Sequence, residues 1–400
     1  MNKKYLVNKF LNFAQYRFLS GATKKLKAVR RKTFENIGAA KLPRNAPHAM
    51  VINISTAIPY YLEGSVDRCP ILDNHALYWE AAELVRQLNS RGWVVDFIDC
   101  NDVDVNINWQ KYQLVFDERN HLMFSPLIKG QKKVFYSTGL KWTFHNEEQL
   151  KRLNWFFKRT GIRIYPERFL FPNYSDEFAD YQTYYGKADF MTMFSSNSIK
   201  VPLDVSCTFV PSNFDNRKRR LNRFVWFGGS GSIHKGLDLA IEAFKHLTNC
   251  ELIIFGPVER EVHFYNWLKK VMSEYPNIQY YGYADLKNEE HLTILSSAVA
   301  NVFPSCSEGG PGSVAQAALL GLIPIVTSTA NIRYENLGYV IENGSDEQMI
   351  NSIVEKVKSL MSIPEKRVLE QMEENYVYAA KFHTRDAYKN SLANLLNTIA

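Results

Sequence analysis

The chain has 400 residues, 46% hydrophobic and 22% charged, with a formal net charge of +7. That is apolar material for two cores of ordinary domain size, which excludes a disordered or fibrous chain. Five cysteines with no C-x-x-C spacing argue for free thiols in a reducing compartment and against a disulfide framework or zinc site. No apolar run reaches the roughly 18 residues of a membrane-spanning helix.

The positive charge is concentrated at the start. Residues 1–44 hold twelve Lys or Arg and a single acid, Glu35, giving +11, and the remainder sums to −4. Val7, Phe10, Leu11, Ala14 and Phe18 recur at helical spacing, Lys3, Lys4, Lys9 and Arg17 fall on other faces, and a basic block fills 24–32. Asn8, Asn12 and Gln15 break the apolar stretch too often for a secretory signal. Residues 1–45 read as a basic amphipathic extension, with 1–33 expected to lie on an anionic membrane surface, where each basic residue contributes about 1 kcal/mol. An arm packed on the protein body and a disordered arm on nucleic acid compete with this, and no RNA-binding fold surrounds the aromatic stripe, so nucleic acid is not an expected partner.

Short apolar runs then alternate with helical segments. Strands are expected at 50–55, 94–99, 113–117, 133–138, 188–194 and 207–211. Helices are expected at 74–91, where Leu77, Ala81, Leu84, Val85 and Leu88 form one side before Gly92, and at 147–160. This alternation describes a parallel sheet flanked by helices over 46–215. The polar run 211–222, PSNFDNRKRRLN, reads as the connection between units. Beyond it come six β-prone runs, at 223–228, 251–256, 278–283, 299–304, 323–328 and 338–342, with helical patterns at 236–248, 261–275 and 345–360. The expected architecture is α/β, two doubly wound Rossmann-like units (46–215 and 216–383) facing a central cleft, with ligands at the carboxyl ends of the strands.

The most informative stretch is 299–328. Its loop, 305–312, carries Glu308 followed by Gly309, Gly310, Pro311 and Gly312, which leave the backbone open to a ligand. A helix starting near Ser313 would aim free N–H groups and its dipole at an anion such as a diphosphate, and Glu308 would accept hydrogen bonds from sugar hydroxyls. Ser313 and Gln316 share the helix face turned to the loop. Three other patterns carry less. Gly229-x-Gly231 has His234 where a dinucleotide fingerprint needs its third glycine, the same loop lacks the Gly-Lys-Ser/Thr of a P-loop, and Asp102-Val-Asp104 is an isolated acid pair in a surface loop.

Pro304, Ser305, Glu308, Gly309 and Pro311 match the Pro-Ser-x-x-Glu-Gly-x-Pro hallmark of the retaining family 4 glycosyltransferases of GT-B fold, which the region 220–345 resembles. The family's second Glu falls at Gln316, and its Gly-Arg-x(5)-Lys-Gly pattern appears as FVWFGGSGSIHKG, with Lys235 and Gly236 in place and Ser230 at the Arg position. The resemblance implies transfer of a sugar from a UDP- or GDP-sugar donor to a glycan or lipid-linked hydroxyl acceptor. In that reading Lys235 and Glu308 are catalytic, with Gly229, Ser230, Gly231, His234, Gly309, Gly310, Gly312, Ser313 and Gln316 around the donor. The base would lie near Gly256 and Tyr281, Gly282 and Tyr283, and the last helix, 384–400, would cross back to the first unit.

On the acceptor side, Lys141 stands near the place of a family histidine, and His145, His75, Glu63 and Gly64 are further candidates. Neither a metal nor another cofactor is required when Lys235 and a helix terminus carry the phosphate charge. The implied setting is bacterial polysaccharide, lipopolysaccharide or glycolipid assembly at the cytoplasmic face of the membrane. A sugar-nucleotide epimerase or hydrolase, and a non-catalytic sugar-nucleotide-binding subunit, are the alternative readings.

Overall fold

The computed structural model describes residues 33–399 apart from 70, 71, 73, 74, 103, 104, 216–218, 335 and 336. The interfacial helix expected before residue 33 and Asp104 of the acid pair therefore lie outside the described residues.

Seven strands form the first sheet: β1 (Phe34–Ile37), β2 (His48–Asn53), β3 (Val94–Asp99), β4 (Leu114–Asp117), β5 (Lys132–Phe135), β6 (Tyr181–Tyr184) and β7 (Ile199–Pro202), in the order β1-β3-β2-β4-β5-β6-β7. All neighbours are parallel except β1, which runs antiparallel to β3. Central strands of such a sheet are covered on both faces and so read as continuous apolar runs. In β2 every residue from Ala49 to Asn53 is buried, and Val51 sits in register between Phe97 and Phe116. The helices of this half are α1 (Ile58–Leu62), α2 (Ala76–Ser90), α3 (Trp142–Thr160) and the single turn α4 (Ser175–Phe178).

Two of the expected strands are not strands. Residues 188–193 coil into 3-10 turns and 207–211 are irregular, while the last two strands of the sheet are β6 and β7. The sequence YQTY of β6 looks polar, yet Gln182 and Thr183 are fully buried, and β7 ends in a proline at the sheet edge, where a missing donor is tolerated. β1 hides inside the basic N-terminal stretch, and its Asn36 takes a left-handed φ of 55° where the pairing with β3 slips.

The second sheet contains β8 (Arg223–Phe227), β9 (Glu251–Phe255), β10 (Ile278–Gly282), β11 (Ala300–Phe303), β12 (Ile323–Thr327) and β13 (Tyr339–Ile341), all parallel, in the order β10-β9-β8-β11-β12-β13. Its helices are α5 (Leu237–Lys245), α6 (Val262–Glu274), α7 (Glu289–Ser296), α8 (Gly312–Leu319) and α9 (Asp346–Met361), the last started by a Ser345–Gln348 capping box. From β8 the chain moves outward through β9 and β10, then returns to the other side at β11. The crevice for a ligand therefore opens beyond the carboxyl ends of β8 and β11.

Two helices finish the chain. α10 (Glu365–Phe382) packs on α8 and β12, and α11 (Arg385–Ile399) packs on α2 of the first half. The Tyr388 hydroxyl of α11 meets that of Tyr136 at 2.7 Å, and Gln87 Nε2 donates to the Lys389 carbonyl at 2.9 Å. Beneath them Glu80 is buried and accepts hydrogen bonds from Tyr136, Tyr185 and Ser206; burial raises its carboxyl pKa, which the three donors oppose. The halves also meet along α3. Phe156 is wholly buried against Phe264 and Trp267, and Arg159 binds Asp238 and Asp346, each at 2.5 Å.

Candidate functional site

The loops leaving β8 and β11 place the site. After β8 the chain turns through 229–236, with Lys235 N bonded to the Gly231 carbonyl and Gly236 N to that of Ile233, and then enters α5. Gly236 has a φ of +71°, and a Cβ there would lie 2.2 Å from the Pro304 carbonyl oxygen. Only glycine allows this approach, which sets Lys235 beside the end of β11. The Lys235 ammonium bonds Glu308 Oε1 at 2.5 Å, with both side chains buried. The Ser305 hydroxyl lies 3.1 Å from the same oxygen. Burial alone would raise the Glu308 carboxyl, but Lys235, then Arg168, hold it far below the usual range. Burial also draws the Lys235 ammonium down, against the pull of Glu308.

His234 packs behind the pair. Its ring lies 4.6 Å from that of His145 of α3, and its Nε2 is 2.7 Å from the Ser307 carbonyl. Burial depresses its pKa well below that of a free imidazole, so it is neutral and the 3.8 Å approach to Glu308 is not an ion pair. His145, pushed down to about 4 chiefly by burial, holds the Arg168 carbonyl at 2.7 Å. The wall opposite Glu308 thus belongs to the first sheet. A Cβ at Gly309 would meet the Thr138 carbonyl oxygen at 2.3 Å, so the loops after β5 and β11 touch backbone to backbone. His75, at the start of α2, is exposed, accepts from the Leu77 N–H at 3.3 Å, and lies within reach of the charges of Arg168 and Lys235.

Several residues singled out in the sequence have other occupations. Gln316 is buried and commits both ends of its amide to Phe209, Nε2 donating to the carbonyl at 2.5 Å and Oε1 accepting from the N–H at 3.3 Å. An amide can do both, whereas an ionised glutamate at this position could only accept. The amide of Gly231, a residue expected around the donor, donates to the Glu261 carboxylate at 2.8 Å, as does that of the neighbouring Ser232 at 3.0 Å. Lys141 is paired with Asp176 at the start of α3. Glu63 and Gly64 are exposed in the turn after α1, apart from the Lys235–Glu308 contact. Gly229, Ser230 and Gly312 are exposed on the loop edges, Gly310 packs on Tyr185, and Ser313 is half-buried in the first turn of α8. Farther along the sheet, a Cβ at Gly256 would lie 2.5 Å from the Gly228 carbonyl oxygen, and Tyr281 and Tyr283 flank Gly282 with their rings partly exposed.

Arg168 and Glu261 were not legible as site residues. Arg168 sits in a stretch without motif, RIYPERFLFPNY, and only the fold brings it to Gly231. Glu261 could have been suspected as an acid at the start of a helix that follows a strand of the same sheet.

Residues 222–359 match the family model of glycosyl transferases group 1. The matched stretch takes in all six strands of the second sheet and both motif loops, and leaves the first sheet outside. No curated protein matches the chain. Among solved structures, Anabaena HepE in complex with UDP and glucose is similar at 10% identity, covering 88% of this chain and 100% of that one, with a TM-score of 0.50. A glycosyltransferase from Rickettsia africae aligns at 11% identity over 89% of this chain and 99% of that one, with a TM-score of 0.50. The pneumococcal O-GlcNAc transferase GtfA, with UDP and GlcNAc, aligns at 16% identity over 72% of this chain, with a TM-score of 0.47, and the match spans 56% of that longer protein. The fold is GT-B: two parallel-sheet Rossmann-like halves whose loops meet at the carboxyl ends of their strands.

Proposed function

We propose that the protein moves a sugar from a nucleoside-diphosphate donor to a hydroxyl acceptor, with retention at the anomeric carbon. The observation that carries this reading is the buried contact between Lys235 and Glu308, built from the β8 and β11 loops of the matched domain at the switch point of its sheet. The anomeric C–O bond to the diphosphate breaks with its electron pair on the departing phosphate. The acceptor oxygen bonds the anomeric carbon from the same face, and its proton ends on that phosphate or on water. Lys235 and the first amides of α8 stabilise the developing charge, an effect whose loss typically slows such a step about 10²- to 10³-fold. Glu308, kept ionised, holds the sugar hydroxyls and so fixes the ring. In this reading the acceptor enters from the first sheet's side, past the exposed His75, and the buried His145 backs the site through Arg168. The division at about residue 215, the UDP- or GDP-linked donor, the role in surface-glycan or glycolipid assembly, and attachment of residues 1–33 to an anionic membrane surface belong to the same proposal. Among the described residues no helix is long and apolar enough to cross a membrane.

The test is to incubate the full chain with labelled UDP- and GDP-sugars and a membrane extract. A glycosylated lipid or glycan that is lost in Lys235→Ala and Glu308→Ala supports transfer. An isomerised or hydrolysed donor, or donor binding without turnover, replaces it with the epimerase or the binding-subunit reading.

A further inference from the structure

We propose that Arg168, from the half of the molecule opposite Lys235, supplies the second positive charge of the diphosphate site. This inference rests on the nucleoside-diphosphate reading above. Gly231 has a φ of +95°, and a Cβ there would lie 2.5 Å from Arg168 Cδ and 2.9 Å from Cγ. The bare backbone of the β8 loop is therefore the seat on which the arginine stem lies. The seat adjoins Ser230, an exposed residue of the same loop.

The arginine is fixed although it belongs to a loop. Its carbonyl is bonded to His145 Nε2 at 2.7 Å, and two residues on Leu170 exchanges a pair of hydrogen bonds with Asn146, at 2.7 and 2.8 Å. Both anchors are on α3, so the first half presents Arg168 to the second from a rigid support. The charge is felt by the whole site. It lowers the pKa values of Glu308, Lys235, His234, His145 and His75, groups drawn from four separate segments around one space.

Charge balance gives the arrangement a purpose. Lys235 and Glu308 compensate one another, and the histidines His145 and His234 are neutral. Glu261 turns to the Gly231 and Ser232 amides, and Glu167 acts on Glu261. Arg168 Nε is buried without a hydrogen-bond partner among the described residues. A buried guanidinium donor left without an acceptor is costly unless an anion completes it. With two loop amides already taken, a diphosphate entering between the β8 loop and α8 meets Lys235 on one side and Arg168 on the other.

Titration calorimetry of the full chain with UDP and GDP tests this, using Arg168→Gln, which keeps the stem on Gly231 and the backbone bond to His145. The better-bound nucleotide of the two should weaken about 10- to 100-fold, the usual worth of a hydrogen bond to a charged group. Arg168→Lys should recover most of the affinity, and Arg168→Gln with Ser230→Arg should bind within about threefold of the parent, since a cation returned from the neighbouring position serves the same oxygens. A purely structural role would not be rescued from residue 230. Unchanged affinity in a folded Arg168→Gln protein, or no recovery in the folded double variant, overturns this inference alone. Failure of the parent protein to bind either nucleotide overturns it together with the donor reading.

Discussion

Removing one member of the Lys235–Glu308 pair should show how tightly the two motif loops are coupled. In Glu308→Gln the side chain keeps its shape and can still accept a hydrogen bond, but the ammonium loses its carboxylate partner. Two unit charges 4 Å apart attract by about 4 kcal/mol at an effective dielectric of 20, and this contact, 2.5 Å between N and O and buried, belongs at or above that scale. Losing one partner of a buried pair typically costs about 3–5 kcal/mol, because the remaining charge must stay buried or neutralise. Glu308→Gln and Lys235→Met should each lower the free energy of unfolding by that amount in urea titrations, and the double variant by clearly less than the sum. Additive losses, or single losses below about 1 kcal/mol, would refute the claim that the two side chains form one buried unit.

Three further outcomes follow from the same structure. Gln316→Glu should destabilise the protein by about 1–3 kcal/mol at neutral pH, because a carboxylate cannot donate to the Phe209 carbonyl; a gain in urea midpoint would contradict this. Gly309→Ala places a methyl group 2.3 Å from the Thr138 carbonyl oxygen, and the overpacking should cost about 1–3 kcal/mol in thermal unfolding together with lost turnover. His383 is buried and titrates at about 4 when folded, with burial the main cause. Its unfolded value lies near 6.5, so the unfolded chain binds the extra proton and stability falls as pH drops from about 6.5 toward 4. His383→Phe should flatten that slope by about 1.4 kcal/mol per pH unit in the middle of the window, and an unaltered slope would show that the imidazole is not held neutral.

The parts of this fold that could be read from the sequence are those in which burial and periodicity agree. All six strands of the second sheet fall where apolar runs predict them, and Lys235 and Glu308 are marked by glycines whose need is geometric, as Gly236 against Pro304 shows. β6 was missed because Gln182 and Thr183 are buried polar residues, and β1 because a short antiparallel edge strand sits in a charged stretch. The turns at 188–193 carry Phe190, Met191 and Met193 at a spacing that imitates a strand. Within the site, local chemistry announced the pair but not its surroundings. Gln316 reaches Phe209 across 107 residues and Arg168 reaches Gly231 from the other half, partners that depend on the meeting of two sheets rather than on any nearby pattern.

The polypeptide passes between the two sheets twice, and the passages lie side by side. Tyr376 of α10 stacks on Phe214 and donates its hydroxyl to the Pro211 carbonyl, while Ser391 of α11 accepts from the Asp204 N–H. A molecule pinned in this way behaves like a pair of shears: the blades turn about a doubled pivot and resist sliding apart. Cutting the backbone at 211–222 would leave the second pin in place, so the nicked halves should stay together and still swing.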